Sequence, residues 1–309
     1  MRILLTELFT LPEDVKERFA NMGLAVDTLD ADTPINPADY DVVFGQTPFK
    51  VFPYEALTNL KFLQLSSAGT DHLPVDAWLK NGLIVSNARG VYSAPMAEHI
   101  ILAILAANRQ YLTFANQQAQ AVWKKHKLIE LGYRKIVFLG TGSIAVETAK
   151  RLIPFGAYLV GLNTNGRRIE PFMINAKLSD WRGIVGACDV VINTLPYTPD
   201  THHFMNREFF ATMKEGAMII NVGRGKSVDE VALLEALNSG HLSHAALDVF
   251  EEEPLPKDSP LWSHENVWIT PHNSNSGQLL GERMYDLFLT NLGHYSRGEA
   301  VEHARRSGA

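Results

Sequence analysis

The stretch that most constrains this chain runs from Lys135 to Leu152, where a short apolar strand enters a turn spaced Gly140-x-Gly142-x-x-Ala145 and continues as a helix. Each small residue has a separate job there. The first glycine permits the tight bend, and the second lets backbone approach a bound diphosphate. The third small position lets helix pack on strand, while the helix N-terminus offers unpaired N–H groups and the positive end of its dipole. The same spacing also suits a plain strand-to-helix turn, so the rest of the chain must decide.

A length of 309 residues accommodates two domains with separate cores, and 46% hydrophobic with 20% charged residues is a globular composition. A net charge of −6 gives no electrostatic reason to expect nucleic acid or an anionic membrane, so small molecules are the expected partners. The single cysteine, Cys188, cannot form an internal disulfide, which suits a reducing cytoplasm. The opening residues are too short for a signal segment, and the longest apolar run, 100–107, falls well below a membrane span. No metal-ligating cluster is expected.

Read in order, short apolar runs alternate with helical stretches, which predicts parallel sheets covered by helices. Strands are expected at 3–5, 24–29, 41–45, 60–67 and 83–87, with helices at 12–21 and 74–81. The run 60–67 ends in Ala68-Gly69-Thr70-Asp71, at the carboxyl end of its strand, where open α/β sheets bind ligands. Gly69 suits either a backbone nest for a carboxylate or a loop that needs only its φ. Ser93 and Pro95 open a helix that composition extends to about residue 124. Ile100, Ile101, Leu102, Ile104 and Leu105 make its middle apolar on nearly every side, as expected of a helix buried all round, whether within one domain or against a second subunit.

The strand 158–162 is the second of the nucleotide unit, and Asn163 stands where a ribose-reading acid belongs. A neutral residue there, followed by Thr164, Asn165, Arg167 and Arg168, favours a 2′-phosphate and hence NADP over NAD; the two arginines also fit a solvated surface pair. Further strands are expected at 189–194, 218–222, 245–250 and 267–270. They lead into the Pro196–Thr201 loop, Gly223-Arg224-Gly225, the acidic run before Pro254, and Pro271-His272. An arginine between two glycines directly after an apolar strand suggests an exposed guanidinium in a crevice.

With these residues assembled, the chain resembles the D-isomer-specific 2-hydroxyacid dehydrogenases, most strongly over Gly140 to Ala145, Asn221 to Gly225, Ala246 to Pro254 and Thr270 to His272. The resemblance implies two doubly wound parallel-sheet α/β domains, a Rossmann cofactor domain at 97–277 inserted into a flavodoxin-like substrate domain of 1–96 plus 278–309. It also implies a homodimer joined through the cofactor domains, a nicotinamide cofactor, and hydride transfer to a small 2-oxo acid.

Carried onto this sequence, the resemblance makes Arg224, Glu253 and His272 the catalytic set. A planar guanidinium can grip the carboxylate and carbonyl oxygens of a 2-oxo acid together, fixing the face shown to the nicotinamide. An imidazole can protonate the developing alkoxide, and a carboxylate bonded to it favours its charged form. Asp248 would orient the nicotinamide carboxamide, and Ala68 and Gly69 would take the substrate carboxylate. Gly140, Gly142, Ser143, Ile144, Asn163, Thr164, Arg167, Pro196, Thr201 and Val222 would line the cofactor path. His202, His203, His244 and His294 match no catalytic motif and read as structural or solvent-facing.

Two departures bear on function. Asn163 replaces the acid common in NAD-preferring members, and Glu253 speaks against formate dehydrogenases, which pair the histidine with glutamine. A dinucleotide-sensing corepressor on the same fold is the alternative, since such proteins keep the triad. Phe49 in the Gln46-Thr-Pro-Phe49 segment, with Tyr92, hints at a small or apolar substrate tail, though either aromatic also suits a core.

Overall fold

A computed structural model describes residues 1–6, 12–29, 35–45, 52–71 and 73–305; the Gln46–Phe49 segment lies outside them. The chain forms two compact units, Met1–Tyr92 with Gly277–Ala309, and Ser93–Ser276.

In the first unit β1 (Arg2–Leu5), β2 (Ala25–Thr28), β3 (Val42–Phe44), β4 (Phe62–Gln64) and β5 (Ile84–Ser86) form a parallel sheet of order β2-β1-β3-β4-β5, the flavodoxin-like winding. Side chains alternate along each strand, and both faces are apolar. Ile3, Leu5, Val42, Phe44 and Phe62 meet Phe19 of the helix Glu13–Asn21 and Met284, Tyr285 and Phe288 of the helix Leu280–Ser296. Leu4, Val43, Leu63 and Val85 meet Trp78 of the helix Val75–Lys80. A sheet buried on both sides therefore reads as an unbroken apolar run. Asn291, fully buried, donates to Gln64 Oε1 at 2.8 Å and to Ser86 Oγ at 3.2 Å, so the end of the chain is bolted to β4 and β5.

The second unit holds β6 (Lys135–Leu139), β7 (Tyr158–Asn163), β8 (Ile174–Lys177), β9 (Val190–Asn193), β10 (Ala217–Asn221), β11 (Leu242–Leu247) and β12 (Val267–Ile269). All pair in parallel in the order β12-β11-β10-β9-β6-β7-β8. The winding reverses between β6 and β9, so the glycine turn after β6 opens at the switch point where doubly wound sheets take ligands. The expected fold class is the observed one.

Several expectations need correction. The strand expected at 245–250 runs instead over Leu242–Leu247, because Asp248 to Phe250 leave the sheet as a loop. The edge strand β8 was not foreseen; it is half exposed and carries Asn175 and Lys177 in place of an apolar run. The single helix expected to reach residue 124 is two, Ser93–Asn108 and Tyr111–Ala119. Gln110 between them is left-handed, at φ 51°, and Ile129 N–H donates to Asn108 O at 3.0 Å where the returning chain crosses. Within a single chain the first helix is not covered on every side: Leu102 is exposed, while Met96, Ala97, Ile100 and Ile104 are buried, and the helix packs on Ser143–Leu152. Ser93 is its first residue, not its cap, and the hydroxyl has no hydrogen-bond partner among the described residues.

Candidate active site

Every residue expected to act in the second unit follows the carboxyl end of a parallel strand. Gly140, Gly142, Ser143 and Ile144 follow β6, Asn163 closes β7 with Thr164 and Arg167 after it, and Pro196 and Thr201 follow β9. Val222 and Arg224 follow β10, Asp248 and Glu253 follow β11, and His272 follows β12. Ala68 and Gly69 follow β4 of the other unit, where their carbonyls accept from Asn87 Nδ2 at 2.8 Å and Ser67 Oγ at 2.7 Å. Tyr92 donates its hydroxyl to Ser66 O and packs against the core of that unit.

The glycine turn fits a dinucleotide diphosphate. Gly140 sits at φ 93°, and a β-carbon on it would lie 2.9 Å from Thr194 Oγ1, so only glycine fits. Gly142 is the N-cap of the helix Ser143–Leu152, and the space a β-carbon would occupy there is open. The cap has no side chain and the first turn has no acid, so its N–H groups face a cradle suited to an anion. Ala145, fully buried, lets the helix seat on the sheet.

Asn163 uses its amide locally: Nδ2 donates to Arg167 O at 2.9 Å and Oδ1 accepts from Arg167 N at 3.1 Å. The side chain thus closes the 163–167 loop and presents Thr164, Arg167 and Arg168 outward, all exposed. In the β9 loop Thr201 is buried and donates to Pro196 O at 2.8 Å, within a capping box with Thr198.

A buried amide network, not foreseen from the sequence, sets the arginine loop. Asn193 Nδ2 donates to Asn221 Oδ1 at 2.9 Å and to Ser227 Oγ at 2.7 Å, and Asn221 Nδ2 donates to Arg224 O at 3.2 Å. Asn193, Asn221 and Ser227 are wholly inaccessible to solvent, where unmade hydrogen bonds would be costly. A β-carbon on Gly225 would fall inside the carbonyl of Phe250, so the arginine loop lies directly against the loop that carries Glu253. An Asn closing an apolar strand, as at 193, was the signal available.

His272 Nδ1 lies 2.7 Å from Glu253 Oε2, and the other carboxylate oxygen accepts from Phe250 N at 3.0 Å. The histidine backbone is left-handed, φ 50°, a conformation residues other than glycine hold only where their surroundings enforce it. Asp248 does the enforcing. Its carboxylate accepts from Thr270 Oγ1 at 2.6 Å and from the amides of Asn273 at 2.9 Å and Ser274 at 3.0 Å, and its carbonyl accepts from His272 N at 2.8 Å. Burial acts to raise this carboxyl, but the hydrogen bonds from Ser274, Thr270 and Asn273 prevail and hold it below the usual range. Asp248, expected to orient a carboxamide, is therefore also the residue that shapes the histidine loop. His99, which no sequence motif marks, has an imidazole that burial holds below its usual range despite the pull of Asp248.

The profile of the NAD-binding domain of D-isomer specific 2-hydroxyacid dehydrogenases matches residues 101–274. A glyoxylate reductase of Thermofilum pendens is 34% identical over 79% of this chain and 74% of its own. A D-3-phosphoglycerate dehydrogenase of Methanocaldococcus jannaschii is 33% identical over 87% of this chain but 52% of its own. The crystal structure of a D-isomer specific 2-hydroxyacid dehydrogenase from Xanthobacter autotrophicus Py2, in complex with NADPH and MES, superposes with a TM-score of 0.84 at 27% identity, covering 99% of this chain and 98% of that one. The chain belongs to the D-isomer specific 2-hydroxyacid dehydrogenase family. It is an NAD(P)-dependent oxidoreductase of 2-hydroxy acids, and nothing among these relatives supports the corepressor-like alternative. Among the described residues no helix is long and apolar enough to cross a membrane.

Proposed function

We propose that this chain reduces a small 2-oxo acid to the D-2-hydroxy acid in the cytoplasm, with NADPH preferred and Arg224, Glu253 and His272 doing the chemistry. The observation that carries this reading is the 2.7 Å contact of His272 Nδ1 with Glu253 Oε2 in a loop clamped by Asp248. A bound reduced nicotinamide supplies the hydride. Glu253 engages Nδ1, which leaves Nε2 to deliver a proton to the substrate oxygen as it gains charge. Arg224 binds the carboxylate and the carbonyl oxygen, so the acid lies flat for attack. The unit Ser93–Ser276 serves as the cofactor domain, and the other unit, which carries the loop at Ala68 and Gly69 held by Asn87 and Ser67, serves as the substrate domain.

Support for NADPH comes from the 163–167 loop, where Asn163 brings no negative charge and Arg167 and Arg168 stand exposed. Support for a homodimer comes from the arm at 111–133: the helix Tyr111–Ala119 buries none of its residues, while Trp123 is 97% and Tyr133 86% exposed. Aromatics so placed suit a second copy of the chain. The test is a panel of 2-oxo acids run with NADH and NADPH in turn. Turnover of at least one small 2-oxo acid, with higher kcat/KM for NADPH, is expected; no turnover of any member would overturn the proposal, and a higher value with NADH would overturn its cofactor preference.

A further inference from the structure

The acidic run after β11 is held by two histidines, not one. Glu253 meets His272 Nδ1 at 2.7 Å, and two residues earlier Glu251 Oε1 meets His203 Nε2, also at 2.7 Å. The two histidines share a second property: both are left-handed, His272 at φ 50° and His203 at φ 45°. A left-handed backbone in a residue other than glycine needs surroundings that enforce it, and such strain collects at functional sites. His203 is tied from both ends. Its backbone N–H donates to Lys226 O at 2.9 Å, two residues beyond Arg224, while its ring reaches the run that carries Glu253.

The run is anchored on its backbone too: Glu251 N–H donates to Glu230 Oε1 at 2.8 Å, and Phe250 N–H donates to Glu253 Oε1 at 3.0 Å. Glu230 is pushed above the usual carboxylate range by burial, with the nearby Glu251 charge adding to the rise and His203 opposing it. His202 stacks on His203 with ring centroids 4.2 Å apart, and Lys226 lies over the Tyr197 ring at 5.8 Å. One imidazole thus joins the loop after β9, the loop after β10 and the loop after β11.

We propose that the His203–Glu251 pair is a positioning pair for the reaction: it sets the 250–253 run and thereby the angle at which Glu253 presents His272 to substrate. This rests on the acid–base reading of Glu253 and His272. His203 touches neither of them; it acts through Glu251. A positioning histidine explains why this turn carries a strained imidazole where glycine would adopt the same backbone without steric strain.

His203→Gly separates the roles, since glycine accepts φ 45° while the contact to Glu251 is lost. Steady-state kinetics of the full chain should show kcat for 2-oxo acid reduction lowered about tenfold, with KM for NADPH held within about twofold, as expected when a catalytic group is misplaced. The pH profile of kcat/KM should shift, the thermal midpoint should stay at or above wild type, and His203→Gln, which can still donate to Glu251, should recover most of the turnover. Glu251→Gln should lower kcat similarly, and the double variant His203→Gly/Glu251→Gln should lose no more than either alone. His272→Asn is run beside them. If it is inactive while His203→Gly keeps full kcat and an unshifted pH profile, the positioning role is wrong and the acid–base reading stands. If His272→Asn keeps full turnover, both fall.

Discussion

A single carboxylate, Asp248, with 1% of its surface exposed, gathers the hydroxyl of Thr270 and the amides of Asn273 and Ser274 into the turn that displays His272. Asp248→Asn keeps the size but weakens every one of these bonds, so a loss of about 2–4 kcal/mol of stability at pH 7 is expected by denaturant unfolding. The sign of its pH dependence follows from the lowered carboxyl. The stabilisation is complete above the ordinary carboxylate value of about 4 and fades as pH falls through the folded value, so the gap between wild type and variant should narrow on acidification. A gap that stays constant to pH 3 would contradict this. Cys188 offers a check on the interior: burial, with Asp189 adding to it, pushes the thiol up to about 11. Iodoacetamide at pH 8 should therefore label it only after unfolding, read by mass spectrometry. Arg224 stands out in the sequence as a candidate because it follows an apolar run between two glycines, whereas His272 is a candidate only through the family resemblance, since a histidine after a proline also suits a plain loop. The Asn193–Asn221–Ser227 network was not, because buried amides look like ordinary polar residues until their partners, 28 and 34 positions away, are brought to the next strand.

The strands were legible for a physical reason. A parallel strand covered on both faces must be apolar throughout, as at Val190–Asn193 and Ala217–Asn221, so the runs stand out even without alternation. Edge strand β8 breaks that rule and was missed. The helix after Ser93 was drawn too long because composition carries no mark for the left-handed residue at Gln110 that ends it. Packing at the loop ends makes its own predictions. Gly225→Ala would drive a β-carbon into Phe250 O and part the arginine loop from the glutamate loop, so kcat/KM should fall at least about 10²-fold, as for a site displaced by an ångström, measurable in the same steady-state assay. Asn291→Leu would strand Gln64, Ser86 and the Glu302 amide, which now all bond to it, and should destabilise the first unit by about 2–4 kcal/mol in chemical denaturation.

Two parallel sheets of different winding, one carrying the glycine turn at its switch point, define what the molecule is for. The family, the fold and the reaction class were all readable from the motifs, because those motifs are strand ends and a parallel sheet collects its strand ends on one edge. The substrate tail was not readable, since an aromatic such as Phe49 or Tyr92 suits a core as well as a pocket, and the Tyr92 hydroxyl is bonded to Ser66 O. Assembly is open to direct measurement. The proposed homodimer predicts that wild type sediments at equilibrium as a dimer and the variant Trp123→Glu with Tyr133→Glu as a monomer; a monomeric wild type would contradict the dimer, and an unchanged dimer mass would remove the arm from its interface. The central claim, that His272 backed by Glu253 supplies the proton that accompanies hydride transfer, is tested most directly by comparing NADPH oxidation by wild type and His272→Asn with the best 2-oxo acid of the panel. In His272→Asn kcat should fall by about 10²–10⁴-fold with NADPH affinity unchanged; equal kcat in the two proteins would remove His272 from the proton transfer.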